Sequence, residues 1–203
     1  GCMAASLAAC GGSASSAATD ASSAASTEAA TSEATEATGT SANGFTVQLG
    51  SNPETLDPAL NSAIDGANTL ITVFEPLLLI DENNEVIPGQ ADLPEVSEDG
   101  LTWTFTMKDG LKWSDGSDLT AKDFEYSFKR LACPDTAAPY GETVVGMIDG
   151  YEDAIGNPDA DGNTTTDPDW DALNVHASED GKTLTIQLAY PCSYFDKLCA
   201  FAA

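Results

Sequence analysis

The sequence predicts an α/β fold in which β-hairpins and flanking helices share one core, and two observations support this prediction. First, the tetrapeptide Ser-Glu-Asp-Gly occurs at residues 97–100 and again at 178–181. Each copy separates two short segments in which apolar and polar residues alternate, which is the pattern of a β-hairpin. Second, a helix-initiation signal lies between the two copies, at Thr120. We therefore expect two hairpins in neighbouring parts of one sheet, with a helix beside them.

The folded part is predicted to begin at Phe45 with a half-buried strand at residues 45–49, where apolar and polar residues alternate. Residues 65–74 then form a predicted short helix. Its apolar residues Leu70, Ile71 and Phe74 are expected on one side.

A second strand and a turn follow this helix. Residues 77–80 are continuously apolar, as in a short buried strand, and the polar residues 81–84 predict a turn after it. The next two strands are those of the first Ser-Glu-Asp-Gly hairpin.

A helix is predicted from Thr120 through Arg130. Thr120 and the acidic residue three positions later form a capping box, which satisfies two otherwise unpaired backbone N–H groups at a helix start. Phe124, Phe128 and Leu131 recur at helical spacing, so we expect them to pack in the core.

The chain is strongly acidic, with 33 Asp and Glu against 7 Lys and Arg among 203 residues, a formal net charge of -26. Binding to nucleic acid depends on Lys and Arg that displace counterions from phosphates, so this composition excludes a nucleic-acid-binding function. It also excludes adhesion to anionic lipids through basic residues. No run of about 18 apolar residues is present, so no membrane-spanning helix is expected in the sequence as given.

Residues 1–10 resemble the end of a truncated lipoprotein signal peptide. In Leu7-Ala8-Ala9-Cys10, small residues precede a cysteine, as in a bacterial lipobox, whose cysteine thiol carries diacylglycerol. The basic segment and most of the apolar segment of such a signal are missing, so we expect the reading frame to begin earlier. Cys10 is the candidate lipidation residue. The alternative is an Ala- and Ser-rich start with one unrelated cysteine.

Residues 11–44 predict a disordered tether. They are almost entirely Ala, Ser, Thr and Gly, and they contain no aromatic or branched aliphatic residue that could offset the entropy of ordering. A flexible chain of this length has a root-mean-square reach of roughly 30 Å. An Ala-rich helix is the alternative, but it lacks an amphipathic stripe with which to dock.

Five short motifs follow one another between residues 57 and 124. They are Asp57-Pro58, Phe74-Glu75-Pro76-Leu77-Leu78, residues 97–105, Lys112-Trp113-Ser114-Asp115-Gly116 and Leu119-Thr120-Ala121-Lys122-Asp123-Phe124. Their order resembles the extracellular solute-binding proteins of peptide ABC transporters, the oligopeptide- and dipeptide-binding family 5. The resemblance implies a periplasmic-binding-protein-like lobe with a mixed β-sheet. Residues 45–203 would form the N-terminal part of this domain, and a second lobe would lie beyond Ala203.

The resemblance also implies which residues contact a ligand. In oligopeptide binders, the loop after Leu-Asp-Pro pairs its main chain with the bound peptide. Here that loop is Asn61-Ser62-Ala63-Ile64, and Ser62, Ala63 and Ile64 are the candidate contact residues. A Pro-Tyr segment supplies a tyrosine at the cleft, which matches Tyr140. The alternatives are that residues 62–64 merely begin a helix and that Tyr140 is a packed aromatic.

The function implied by the resemblance is capture of short peptides for an ABC importer, without catalysis and without a cofactor. Its expected partners are the membrane permease and ATPase subunits, and its expected location is the outer face of the cytoplasmic membrane, held there by the lipid on Cys10. Two alternatives stay open. The same fold could bind nickel, a sugar or a signalling peptide, or the chain could be a secreted hydrolase that uses two of its many carboxylates.

Two polar features have weaker interpretations. Within the acidic segment 157–169, residues 157–163 imitate the front half of a calcium-binding loop, with Gly162 at the sixth position. Pro168 replaces the bidentate Glu of the twelfth position. An acidic surface insertion is the preferred interpretation. His176 is the only histidine, and we expect it to be an ordinary strand residue because no nucleophile is paired with it.

Three cysteines lie in the folded part, and disulfides are permitted in an exported protein. Cys192 and Cys199 would lie about 10 Å apart in a continuous helix, beyond the reach of a disulfide. Cys133, or a cysteine outside this sequence, is therefore the expected partner for one of them. The sequence contains no Cys-x-x-Cys spacing, so a zinc site is not expected.

Overall fold

The computed structural model describes residues 47–48 and 50–201. The predicted signal segment and tether, residues 1–44, lie outside the described residues. The helices are α1 (Ile64–Val73), α2 (Ala121–Ala132), α3 (Gly141–Val145), α4 (Tyr151–Ala154) and α5 (Phe195–Leu198), with short 3₁₀ helices at Pro58–Leu60, Pro134–Thr136 and Trp170–Ala172. The strands are β1 (Leu78–Ile80), β2 (Val86–Pro88), β3 (Glu95–Val96), β4 (Thr102–Thr106), β5 (Val175–Ala177) and β6 (Thr183–Gln187).

The central sheet has four strands in the order β3-β4-β6-β5, so the two predicted hairpins are neighbours, as expected. Trp103 faces Ile186 and Phe105 faces Leu184 across the β4–β6 pair, and all four side chains are buried. Every strand pair among the described residues is antiparallel, where a mixed sheet was predicted. Strands joined by a hairpin run antiparallel, as in β1–β2, β3–β4 and β5–β6, and β6 also runs opposite to β4 beside it.

The two Ser-Glu-Asp-Gly turns have the same hydrogen bonds. The Ser97 hydroxyl donates to Asp99 Oδ1 at 2.5 Å and accepts from the Thr102 backbone N–H at 2.8 Å. In the second copy, the Ser178 hydroxyl donates to Asp180 Oδ1 at 2.6 Å and accepts from the Thr183 N–H at 2.9 Å. The repeated tetrapeptide therefore specifies one turn structure that is used twice.

Helix α2 packs on the sheet and begins at the predicted capping box. The Thr120 backbone N–H donates to Asp123 Oδ2 at 2.8 Å, which closes the box. Phe128 and Leu131 are buried, and Phe124 packs partly buried against the same core, as predicted.

Helix α1 forms almost as predicted, one residue earlier at each end. The expected common apolar face is wrong at Ile71, which is 67% exposed, while Leu70 is buried. Gly66 and Leu70 are the buried residues of α1, and they lie one turn apart. Only this narrow stripe meets the core, and Ile71 lies about 100° further around the helix.

The first predicted strand, residues 45–49, is not formed where it is described. Val47 and Gln48 have no regular structure, and the Val47 side chain is exposed. Neither residue pairs with a strand in the described part of the chain. The next predicted strand is present as β1, with Leu77 and Leu78 buried before Ile80 turns outward.

Cys133, Cys192 and Cys199 are all free thiols, so the suggested disulfide through Cys133 is not formed. Cys192 and Cys199 are buried in the core. Burial raises the pKa of the Cys199 thiol well above its ordinary value of 9.0. A protonated buried thiol is a poor nucleophile, so Cys199 contributes packing rather than reactivity.

Among the described residues, no helix has both the length and the apolar composition needed to span a membrane.

Candidate functional site

A groove of about 730 Å³ opens beside α2. Aromatic and aliphatic side chains form most of its wall, including Leu56, Phe74, Trp113, Phe124 and Phe201. The Trp113 indole N–H donates to Asp123 Oδ1 at 3.3 Å, so the capping box of α2 also holds one wall of the groove. An apolar concavity with few polar groups is the usual form of a small-molecule or peptide site.

The segment before α1 is held by four hydrogen bonds that involve Asp57 and Asn61. Asp57 caps the first 3₁₀ helix by accepting from the Ala59 N–H at 3.1 Å, and its backbone carbonyl accepts from the Asn61 N–H, also at 3.1 Å. The Asn61 side chain then contacts both backbone groups of Ala63. Its Nδ2 donates to the Ala63 carbonyl at 3.1 Å, and its Oδ1 accepts from the Ala63 N–H at 3.4 Å.

The proposed ligand residues Ser62, Ala63 and Ile64 therefore do not have equivalent backbones. Ala63 is extended, with φ -118° and ψ 149°, and its polar backbone groups are engaged by Asn61. The N–H and C=O of Ser62 and the N–H of Ile64 have no hydrogen-bond partner among the described residues. Ser62 lies before α1, and Ile64 is its first residue, whose N–H has no partner within the helix.

An ion pair anchors this segment to α2. Arg130 Nη1 donates to Asp57 Oδ1 at 2.7 Å, and Arg130 Nη2 donates to Asp57 Oδ2 at 2.5 Å. These hydrogen bonds lower the pKa of Asp57 below its ordinary value of 3.8 and raise the pKa of Arg130. Each side chain is 31% exposed, so the pair is partly shielded from water.

Tyr140 lies at the N-terminus of α3, and its ring packs against Phe201 with the ring centroids 5.7 Å apart. Phe201 lines the groove, so Tyr140 lies at its border. The Tyr140 hydroxyl has no hydrogen-bond partner in the described residues, and the side chain is 41% exposed. No hydrogen bond within these residues joins Tyr140 to Ser62 or Ile64.

Sequence reasoning missed two residues that shape this region and the role of a third. Arg130 and Phe201 were not predicted, and Asn61 was placed in the ligand loop without its contact to Ala63, although each contacts a residue of the predicted site or its support. A detectable signal existed only for Asn61, because an Asn ahead of a helix commonly bonds to the backbone two residues on. Arg130 and Phe201 are distant in sequence from the residues they contact, so no local pattern identifies them.

The acidic loop at residues 157–169 is exposed apart from the half-buried Asn157, and its polar atoms bond both within the loop and to neighbouring residues such as Asp153. Asp159 Oδ1 accepts from the backbone N–H groups of Asp161 and Asn163 at 3.0 and 2.9 Å. Over residues 47–48 and 50–201, no group of three or more His, Cys, Asp or Glu is arranged to hold a metal ion. His176 Nε2 lies 3.2 Å from Asn174 Oδ1, on the edge strand β5.

Comparison with known proteins gives this region a context. The sequence profile of the bacterial extracellular solute-binding proteins, family 5 (middle part), matches residues 85–201. The periplasmic oligopeptide-binding protein OppA of Salmonella typhimurium is 37% identical over 73% of this chain and 26% of its own length. The oligopeptide-binding protein OppA of Bacillus subtilis is 35% identical over 76% of this chain and 26% of its own length.

A solved structure supports the same relationship. The murein tripeptide binding protein MppA of Escherichia coli superposes with a TM-score of 0.64 at 36% identity, covering 74% of this chain and 28% of that one. The chain thus spans about a quarter of the length of the relatives it matches. The fold is that of part of a peptide-binding-protein lobe, as predicted. On these matches, the chain belongs to the bacterial extracellular solute-binding proteins of family 5.

Proposed function

We propose that this chain is part of an extracytoplasmic receptor that captures short peptides for an ABC importer and does no chemistry of its own. The observation that carries the proposal is the family match, which covers residues 85–201 and is accompanied by 37% identity to an oligopeptide-binding protein. Permease and ATPase subunits in the membrane would be its partners. Such a receptor acts by closing two lobes around its ligand.

The proposed ligand site combines the segment Ser62, Ala63 and Ile64 with Tyr140. A peptide would lie along residues 62–64 as an added strand, exchanging main-chain hydrogen bonds with Ser62 and Ile64. Main-chain pairing suits a receptor for many peptides, because the peptide backbone is the same whatever its side chains. Tyr140 would contribute an aromatic face together with a hydroxyl that is free to bond to the ligand.

Peptide affinity should fall roughly two- to tenfold when Tyr140 is changed to Phe, because one hydrogen bond to a neutral group is worth about 0.5–1.5 kcal/mol. Melting temperature should hardly change, since the hydroxyl has no partner within the described residues. Calorimetry with tri-alanine on the complete protein measures the affinity. Tyr126→Phe is the matched control, because Tyr126 is exposed and its ring packs against Trp170, which does not line the groove. Unchanged affinity in Tyr140→Phe, or tri-alanine and tetra-alanine both failing to bind the wild type, would contradict the proposal.

We further propose that Cys10 carries a lipid that anchors the receptor to the outer face of the cytoplasmic membrane, with residues 11–44 as the tether. Cys10→Ala should then release the complete protein from the membrane fraction of expressing cells into the medium. Cys2→Ala is the matched control and should leave the protein in the membrane fraction, because Cys2 does not follow the Leu-Ala-Ala sequence. Retention of Cys10→Ala in the membrane fraction would exclude this anchor.

A further inference from the structure

The side chain of Asn61 has an unusual double contact with the proposed ligand segment. Its amide group donates to the Ala63 carbonyl at 3.1 Å and its Oδ1 accepts from the Ala63 N–H at 3.4 Å. The Ala63 carbonyl also accepts the first hydrogen bond of α1, from the Ala67 N–H at 3.0 Å. Both polar backbone groups of Ala63 are thus engaged, by the Asn61 side chain and by the first turn of α1.

A neighbouring glycine leaves room for this contact. A Cβ atom placed on Gly66 would lie 1.9 Å from Asn61 Oδ1 and 2.8 Å from Asn61 Cγ. No side chain at position 66 can therefore coexist with the observed Asn61 conformation. Glycine is the least favourable residue in a helix interior apart from proline, yet it occupies a buried position in the first turn of α1. The position of the Asn61 amide explains why.

Fixing Ala63 has a geometric consequence for its two neighbours. Ser62 lies before α1, and Ile64 is the first residue of α1, so its N–H has no partner within the helix. With both polar backbone groups of Ala63 engaged, the N–H and C=O of Ser62 and the N–H of Ile64 are left unpaired within the described residues. These are groups with which an added peptide strand could exchange main-chain hydrogen bonds.

We propose that Asn61, in the space left by Gly66, is a positioning residue that pre-orders the Ser62–Ile64 edge for main-chain pairing with a peptide. This inference rests on the proposed function. Asn61 does not itself touch the ligand; it removes the entropy cost of ordering the segment when the ligand binds. An Asn that only begins a helix would affect the stability of α1 and leave ligand pairing unchanged.

The test is a double-mutant cycle in the complete protein, with tri-alanine as the probe. Asn61→Ala should weaken tri-alanine binding about five- to tenfold, because the freed segment must be ordered on binding. Gly66→Ala should weaken it by a similar factor, since its methyl group displaces the Asn61 amide. The double variant should bind tri-alanine no more weakly than Asn61→Ala alone. It should also melt at a higher temperature than Asn61→Ala, because Ala at position 66 favours the helix. Asn68→Ala is the control, since Asn68 is an exposed residue of the same helix.

A second measurement separates positioning from folding. Two ester analogues of tri-alanine, each with one amide N–H replaced by oxygen, report on main-chain pairing. Wild type should prefer the amide peptide over at least one ester several-fold, and Asn61→Ala should reduce that preference. A wild type that shows no preference would refute pairing at residues 62–64, and this inference with it. A different outcome would overturn only the role of Asn61. In it, the wild type prefers the amide peptide, and Asn61→Ala keeps both the wild-type affinity and that preference, so the proposed function stands. The role of Asn61 would also be overturned if the affinity losses of Asn61→Ala and Gly66→Ala multiplied in the double variant, because the two residues would then act independently.

Discussion

Replacing Gly150 by alanine is expected to destabilise the sheet far more than the same replacement at Gly162. Both glycines have a left-handed backbone, with φ of 82° and 83°. A Cβ at Gly162 would meet nothing within 4 Å, whereas a Cβ at Gly150 would lie 2.0 Å from the backbone oxygen of Ala172. The control therefore carries the conformational cost alone, about 1–2 kcal/mol. Gly150→Ala adds a clash with main chain that cannot rotate away, for a total of roughly 3–5 kcal/mol.

The surroundings of Ala172 explain why it cannot give way easily. Leu173 and Val175 next to it are fully buried, and the Asn174 N–H donates to the Asp149 carbonyl at 2.9 Å. A shift of Ala172 would therefore pull on β5. Hydrogen exchange of peptides that cover β5 and β6 measures this local stability in the complete protein. Gly150→Ala should accelerate exchange there by two orders of magnitude or more, and Gly162→Ala should not. Equal acceleration in the two variants would show that the close approach to Ala172 costs nothing.

The parts of the fold that the sequence predicted correctly depend on neighbouring residues. The Ser-Glu-Asp-Gly turns and the capping box at Thr120 are closed by bonds over two to five positions, so their residues stand side by side in the sequence. The contacts of α1 with the core are different, because periodicity gives the direction of an apolar face and not its width. Ile71 was misassigned for that reason, while its neighbour Leu70 was not.

The candidate site was only partly visible in the sequence, and the reason is again distance along the chain. The resemblance to a family indicated Tyr140 and the segment Ser62–Ile64, but not what holds them. Tyr140 packs on Phe201, and Asp57 is bound by Arg130, in contacts that only folding creates. The strand expected at residues 45–49 failed for a related reason. An alternating pattern forms a strand only beside a partner strand, and Val47 and Gln48 have none in the described part of the chain.

Loss of the Asp57–Arg130 ion pair is expected to weaken both the fold and the ligand site. Arg130→Gln removes two charge-assisted hydrogen bonds to Asp57, which caps the 3₁₀ helix that leads into Asn61. Such bonds contribute about 1.5–3 kcal/mol, and we expect about 1–2 kcal/mol here because water reaches part of each side chain. Hydrogen exchange in peptides covering residues 57–66 should become faster, and tri-alanine affinity should fall. Lys182→Gln is the matched control, since the Lys182–Asp109 pair is mostly exposed.

The pH dependence of the stability difference between wild type and Arg130→Gln tests whether Arg130 acts through the Asp57 carboxylate. The pKa of Asp57 is lower in the folded protein than its ordinary value of 3.8, because Arg130 donates hydrogen bonds to the ionised carboxylate. A depressed pKa gives stability that is fully present above the unfolded-state value and is lost as the pH falls through the folded-state value. The stability gap between wild type and Arg130→Gln should therefore be constant at neutral pH and close progressively below about pH 4. Arg130→Lys keeps the charge without the two-point geometry, so it should retain part of the gap and the same acid dependence. A gap that persists unchanged to pH 2, measured by thermal melting, would mean that Arg130 stabilises the protein through packing and not through the Asp57 carboxylate.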